Sequence, residues 1–279
     1  MIAVALAVAL TASGPDKVDV RPDVDAIITG IGFGAWLFPA LASKSIVPAT
    51  CRWCDGPDNS GLPGTGSRGS LNGVDAWFHD RMTGWLMSRD TAAVTSDVLA
   101  YGLVPAGVIT GAFLATGPHA SDGAGWRATF IVAESAAVSA GLVQGLKYIT
   151  ARKRPFVRYG TGDTSGSYRI DSEETRLGFP SGHTALAAST TFALATTATI
   201  EESKAAPWFW AGAAVATIST ASLRVIADKH YFTDVAAGAL IGAASGVIFP
   251  LLHRRGGLLS SDSVSVGAQG PSFLLSGRF

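Results

Sequence analysis

SDVLAYGLVPAGVITGAFLAT, residues 96–116, carries charge only at its edge. At about 1.5 Å per residue a helix of this length spans about 30 Å, the hydrocarbon thickness of a bilayer. It and the runs like it are rich in Ala, Gly, Ser and Thr rather than Leu, as in membrane helices that pack closely on one another. Five further runs share this character, at roughly 26–42, 128–147, 183–200, 207–222 and 235–252. Together the six predict an all-α, six-helix bundle that crosses the membrane. Glu134 and Gln144, inside the third run, are expected to face the bundle interior, where polar groups in membranes are paired or functional. Several runs are short enough that a soluble bundle with Ala-rich helices stays open.

Composition agrees with either bundle. The chain is 48% hydrophobic and only 15% charged, with formal net charge zero, which argues against a nucleic-acid partner. No internal repeat is visible. The predicted organisation is an N-terminal segment 1–25, one helical domain 26–255, and a polar tail 256–279 whose end, PSFLLSGRF, suits a short strand. Residues 43–95 are Gly-, Pro- and Ser-rich, then amphipathic over VDAWFHDRMTGWLMSRD. There Trp77, Phe78, Trp85 and Leu86 are placed along the membrane interface or across the bundle mouth; an ordinary core-facing helix is the equal alternative.

Three short strings carry the chemistry: KYITARKRP at 147–155, FPSGHT at 179–184 and RVIADKHYFTD at 224–234. They supply three cations, Lys147, Arg154 and Arg224. Arginine's planar fork matches two phosphate oxygens at once, and lysine adds a point charge. Ser181 and Gly182 can bring a hydroxyl and bare backbone N–H groups to an oxyanion at the start of a helix. His230 and Asp234, four residues apart, would share one helix face, the carboxylate fixing the tautomer so that the other nitrogen can attack phosphorus. His183 is then the acid for the leaving oxygen. The scheme requires no metal and no cofactor. Each element is weak alone: a His at a helix start usually caps or packs, and a run such as Arg152-Lys153-Arg154 is usually a solvated helix end. The ordered set is not weak.

Lys147 with Arg154-Pro155, Pro180-Ser181-Gly182-His183, and Arg224 with His230 and Asp234 resemble the three signature motifs of the type 2 phosphatidic acid phosphatase superfamily. Its members include membrane lipid phosphatases, soluble bacterial acid phosphatases and vanadium haloperoxidases. The resemblance implies a phosphohistidine on His230 oriented by Asp234, His183 as acid, and Lys147, Arg154, Ser181, Gly182 and Arg224 as phosphate ligands. Two positions depart from the pattern. Leu223 stands where a serine usually precedes the arginine, which removes a supporting hydroxyl that Ser222 is poorly placed to replace. Phe232 stands where many relatives have Pro.

The motifs fall at matching ends of the predicted helices, so all three meet at one end of the bundle, and 43–95 lies on that side. The 156–178 loop must border the site, which makes Tyr159, Tyr168, Asp171, Glu173 and Glu174 candidates for recognising the leaving group. The expected reaction is metal-independent hydrolysis of the terminal phosphate of a lipid phosphate or pyrophosphate, with substrate and membrane as partners. Soluble periplasmic hydrolysis of small phosphomonoesters, vanadate-dependent halide oxidation, and a non-enzymatic membrane protein with a relic site are the alternatives.

Cys51 and Cys54, the only cysteines, suit a small disulfide in an oxidising compartment, placing the site at the outer, periplasmic face of the inner membrane. Many basic residues on that side run against the positive-inside rule, although several are the phosphate ligands themselves. Residues 1–13 resemble the apolar part of a signal peptide without a basic start; cleavage would flip the orientation, or leave a soluble periplasmic protein.

Overall fold

A computed structural model describes residues 17–42, 46–48, 50–53, 71–116, 123–260, 264–269 and 272–277. The signal-like residues 1–13 and Cys54 lie outside them, so the leader and the Cys51–Cys54 pairing do too. Helices are α1 (Pro22–Leu41), α2 (Gly73–Met82), α3 (Arg89–Val98), α4 (Val104–Thr116), α5 (Ala124–Thr150), the short α6 (Pro155–Arg158), α7 (Gly182–Ile200), α8 (Ala206–Ile226) and α9 (Phe232–Leu252). A π-helical turn, Leu99–Leu103, joins α3 to α4 without a break. Beyond the helical body, β1 (Val264–Gln269) pairs antiparallel with β2 (Ser272–Gly277), so the tail forms a hairpin where a single short strand is predicted.

All six predicted runs are helical, but the expected six membrane spans are not. Among the described residues, four stretches are long and apolar enough to cross a bilayer: Arg89–Thr116, Ala124–Arg158, Ala206–Ile226 and Phe232–Leu252. The reason is clearest for α7. It is the central helix, packed against α4, α5, α8 and α9, and most of its residues are buried Ala, Thr and Ser. A helix surrounded by other helices needs no apolar face towards lipid, so its hydropathy is low although it lies deepest. The helices around it are inverted relative to a soluble protein. Their large apolar side chains, including Ile31, Phe38, Leu114, Val215, Ile218 and Leu240, point outward.

Small residues set the packing. On α9, Gly238, Gly242 and Gly246 recur every fourth position. A Cβ at each would lie 2.4, 2.3 and 2.6 Å from the carbonyl oxygens of Ser181, Ala185 and Ser189 on or beside α7. Only glycine permits this backbone-to-backbone approach. It holds the start of α9 against the start of α7, where the second and third motifs sit. The α1–α5 crossing uses the same device: a Cβ at Gly32 would lie 2.7 Å from the backbone of Ala137.

Candidate active site

The local folding of each motif follows from its caps. Helix α5 ends where Ala151 takes a left-handed conformation (φ 44°), which turns the chain out of the helix and starts the segment Arg152–Arg154. Ser181 caps α7, its Oγ accepting from Thr184 Oγ1 at 3.0 Å, and its backbone N–H donates to the Asp234 carbonyl at 2.9 Å. Asp234 caps α9 by accepting from the Tyr231 N–H at 2.9 Å. The 224–230 turn folds back on itself, Lys229 and His230 both donating their backbone N–H to the Arg224 carbonyl.

These constraints bring the predicted residues together at one end of the bundle. His230 is 2% exposed, and Arg154 Nη1 approaches its Nε2 at 3.5 Å. Lys147 Nζ reaches the start of α7, 3.6 Å from where a Gly182 Cβ would lie, and makes no ion pair among the described residues. His183 Nε2 lies 2.7 Å from Asp97 Oδ1, and Arg224 Nη1 lies 3.2 Å from the same oxygen. Burial, then Arg154, Arg224, Lys147 and His183, push the His230 imidazole well below its ordinary value of 6.5. Every predicted cation therefore acts on the one imidazole.

Of the predicted His230–Asp234 pairing, the proximity is present but the shared helix face is corrected. His230 precedes α9, so the two residues do not share a helix face. Its Nδ1 is 2.7 Å from the Gly178 carbonyl and 3.6 Å from Asp234 Oδ2. The carbonyl accepts the Nδ1–H and leaves the Nε2 lone pair facing Arg154. Asp234 instead pairs with Arg152, whose Nη1 also donates to Thr233 Oγ1 at 2.7 Å and whose Nη2 lies 2.8 Å from Asp75 Oδ2. Arg152 is fully buried, between the rings of Trp53 and Tyr231 at 4.1 and 4.3 Å. It is a keystone beneath the site, not a solvated helix end.

Asp75 was not anticipated. It lies in the amphipathic stretch, on α2, and accepts from the Thr233 N–H at 2.8 Å. Burial works against its charge, but Arg152 and Thr233 outweigh burial and hold its carboxyl below the usual range. Helix α2 thus crosses the bundle mouth, with Phe78 stacked on Phe232 at 3.9 Å and Trp77, Trp85 and Leu86 exposed. The Phe232 departure is this packing contact.

Two more residues were missed, both on α3. Ser96 is fully buried and accepts from Arg224 Nη1 at 2.9 Å. The hydroxyl lost at Leu223 is therefore supplied from another helix, and Leu223 packs against the cluster of Ala92, Ala93, Ile226 and Ala227. Asp97 bridges His183 and Arg224. No local pattern marks either residue, because their partners lie some 90 to 130 positions away: 86 for His183 and 127 and 128 for Arg224.

The 156–178 loop is less free than the sequence suggests. Tyr168 donates its hydroxyl to the Ala227 carbonyl at 2.6 Å, and burial pushes that hydroxyl up to about 12. Tyr159 stacks on His79 at 3.6 Å, Asp171 pairs with Arg169, and the Glu174 carbonyl accepts from Arg154 Nε. Lys229, pushed down to about 7 by burial and then by Arg154 and Arg224, donates to the Ser167 carbonyl and so faces the loop.

Buried cations, two imidazoles and a helix N-terminus lie together at one end of the bundle, an arrangement suited to holding an anion. A family model described as the PAP2 superfamily matches residues 128–257, a little under half of the chain, and supports the resemblance to that superfamily over the three motifs. That family is one of phosphatases, and the four long apolar helices suit association with a membrane. No curated protein and no solved structure matches the chain.

Proposed function

We propose that the chain hydrolyses the terminal phosphate of a lipid phosphate or pyrophosphate through a phosphohistidine on His230. The observation that carries this reading is the contact of Nδ1 with the Gly178 carbonyl at 2.7 Å, which places the ring proton there and leaves Nε2 as an acceptor facing Arg154 Nη1 at 3.5 Å. Nε2 attacks phosphorus as the bond to the leaving oxygen breaks, and His183 gives that oxygen a proton. Water then attacks the phosphohistidine, gives its proton to His183, and releases inorganic phosphate. Lys147, Arg154, Arg224 and the N–H groups at Gly182 hold the equatorial oxygens. Asp97 positions His183 and Arg224, while Asp234, 3.6 Å from His230 Nδ1, orients that ring together with the Gly178 carbonyl and is itself held by Arg152.

A lipid substrate is favoured by what surrounds the mouth. Tyr101 is edge-on to His183 and 62% exposed on the helix that also presents Val94, Val98 and Leu103 outward. An apolar cleft lined by Leu99, Leu103, Val108, Leu194 and Phe209 begins two residues beyond Asp97 and suits an acyl chain. The site would face the periplasm.

The test is phosphate release by the detergent-purified protein in EDTA, from phosphatidate, phosphatidylglycerophosphate, undecaprenyl pyrophosphate and para-nitrophenyl phosphate. Lipid turnover, lost together with acid-labile phosphoenzyme in His230→Ala, is the expected result. Undiminished turnover by that variant removes His230 as nucleophile. Turnover of the small ester alone replaces the lipid reading.

A further inference from the structure

At the other end of the bundle, Asp25 in the first turn of α1, Glu134 inside α5 and His253 just after α9 come together, each fully buried. One ligand atom from each lies within 4.8 Å of the other two. His253 Nε2 is 3.2 Å from Asp25 Oδ1 and 3.1 Å from Glu134 Oε2. From His253 to Asp234 is 19 residues of helix, about 28 Å, so this cluster is separate from the phosphate site.

The hydrogen bonds around it are incomplete in one direction only. His253 Nδ1 lies 2.8 Å from the Phe249 carbonyl, which takes the ring proton and turns the Nε2 lone pair inward. Asp25 Oδ1, both oxygens of Glu134 and His253 Nε2 are buried without a hydrogen-bond partner. Asp25 Oδ2, by contrast, accepts from the Arg21 N–H at 2.6 Å. Neither carboxylate pairs with a lysine or arginine among the described residues. Buried lone pairs aimed at one point, with two carboxylates that no lysine or arginine faces, draw positive charge there. A proton on Nε2 answers one oxygen and leaves a net negative charge. A divalent ion with a neutral imidazole leaves none.

We propose that Asp25, Glu134 and His253 bind a divalent first-row transition ion that clamps α1, α5 and α9. Metal–ligand bonds of about 2.0–2.1 Å across these 3.1–3.2 Å separations subtend about 100°, between octahedral and tetrahedral values. A ligating imidazole whose other nitrogen donates to a carbonyl is the usual supporting arrangement, and mixed N and O donors suit Zn²⁺, Mn²⁺ or Fe²⁺. The segment before α1 seals the site. Asp19 N–H donates to the His253 carbonyl at 2.8 Å, and Val18 and Val20 pack on Ile131.

The test is metal content and thermal unfolding of the full-length, detergent-purified chain, stripped with chelator and refilled with Zn²⁺, Mn²⁺ or Fe²⁺. One ion per chain by elemental analysis is expected, with a higher Tm when loaded, at least tenfold weaker binding in Glu134→Gln and Asp25→Asn, and unchanged binding in His230→Ala. Wild-type protein that stays folded but holds no stoichiometric metal overturns the proposal. So does full binding by the double variant Glu134→Gln/His253→Gln, which places the ion elsewhere. Because the readouts are binding and Tm, the result is independent of the phosphatase assay.

Discussion

Arg224 shows how a single side chain depends on residues the motif does not contain. Its guanidinium is 5% exposed and is held by Ser96 and Asp97. Ser96→Ala removes a charge-assisted hydrogen bond worth about 1.5 kcal/mol. Loosened Arg224 should raise KM for the phosphate substrate roughly tenfold. Unchanged steady-state kinetics would remove Ser96 from the support of this arginine. His230 carries a second consequence. In the unfolded chain its imidazole takes up a proton as pH falls through about 6.5, whereas the folded one does so only far lower. The unfolded state therefore gains protons first, and stability falls as pH drops below that value. Burial and then Arg224 push His183 in the same direction. In His230→Gln one such proton is gone, so Tm should decline less between about pH 6.5 and 5 than in the wild type. Parallel profiles would mean that His230 is not a buried neutral group.

Among the elements, the contact of α9 with α7 decides whether a site forms at all. Gly242→Val places a side chain where Cβ alone is 2.3 Å from the Ala185 carbonyl oxygen. Backbone cannot yield as a flexible side chain does, so a loss of about 3 kcal/mol or more and displaced second and third motifs are expected. Circular dichroism melts and phosphate release would report both. Gly212→Ala on α8 meets nothing within 4 Å and should be neutral or stabilise by up to about 1 kcal/mol. Equal effects of the two substitutions would show that close packing is not what holds the helices. The ends of α1, α5, α7, α8 and α9 were legible in the sequence to within about four residues, because apolar runs are local signals, whereas the start of α3 at Arg89, helix α2 and the hairpin were not. The burial of α7 was not, since a helix rich in Ala, Thr and Ser reads as a weak span until its neighbours are known.

Over the whole molecule, the exposed apolar side chains form a belt flanked by tryptophans. Trp77 and Trp85 lie at the site end, and Trp126 and Trp208 at the other. Tryptophans at both ends of an apolar belt are the interfacial pattern of membrane proteins. The chain should stay in the membrane pellet after a carbonate wash and require detergent for release; recovery in the supernatant would contradict the belt.

The sequence by itself determined the helical class, the order of the three motifs and their meeting at one end, because each is written in local spacing or helix parity. It also supplied the identities of Lys147, Arg154, His183, Arg224 and His230. Only the tertiary structure decided what holds them: the Gly178 carbonyl closer than Asp234 to His230, Ser96 beside Arg224, Asp75 beneath Arg152, and the pairing of Asp25 and Glu134 with His253. Most of these partners lie tens to hundreds of positions apart, joined by helices crossing in space, and no periodicity along one chain encodes which faces will meet.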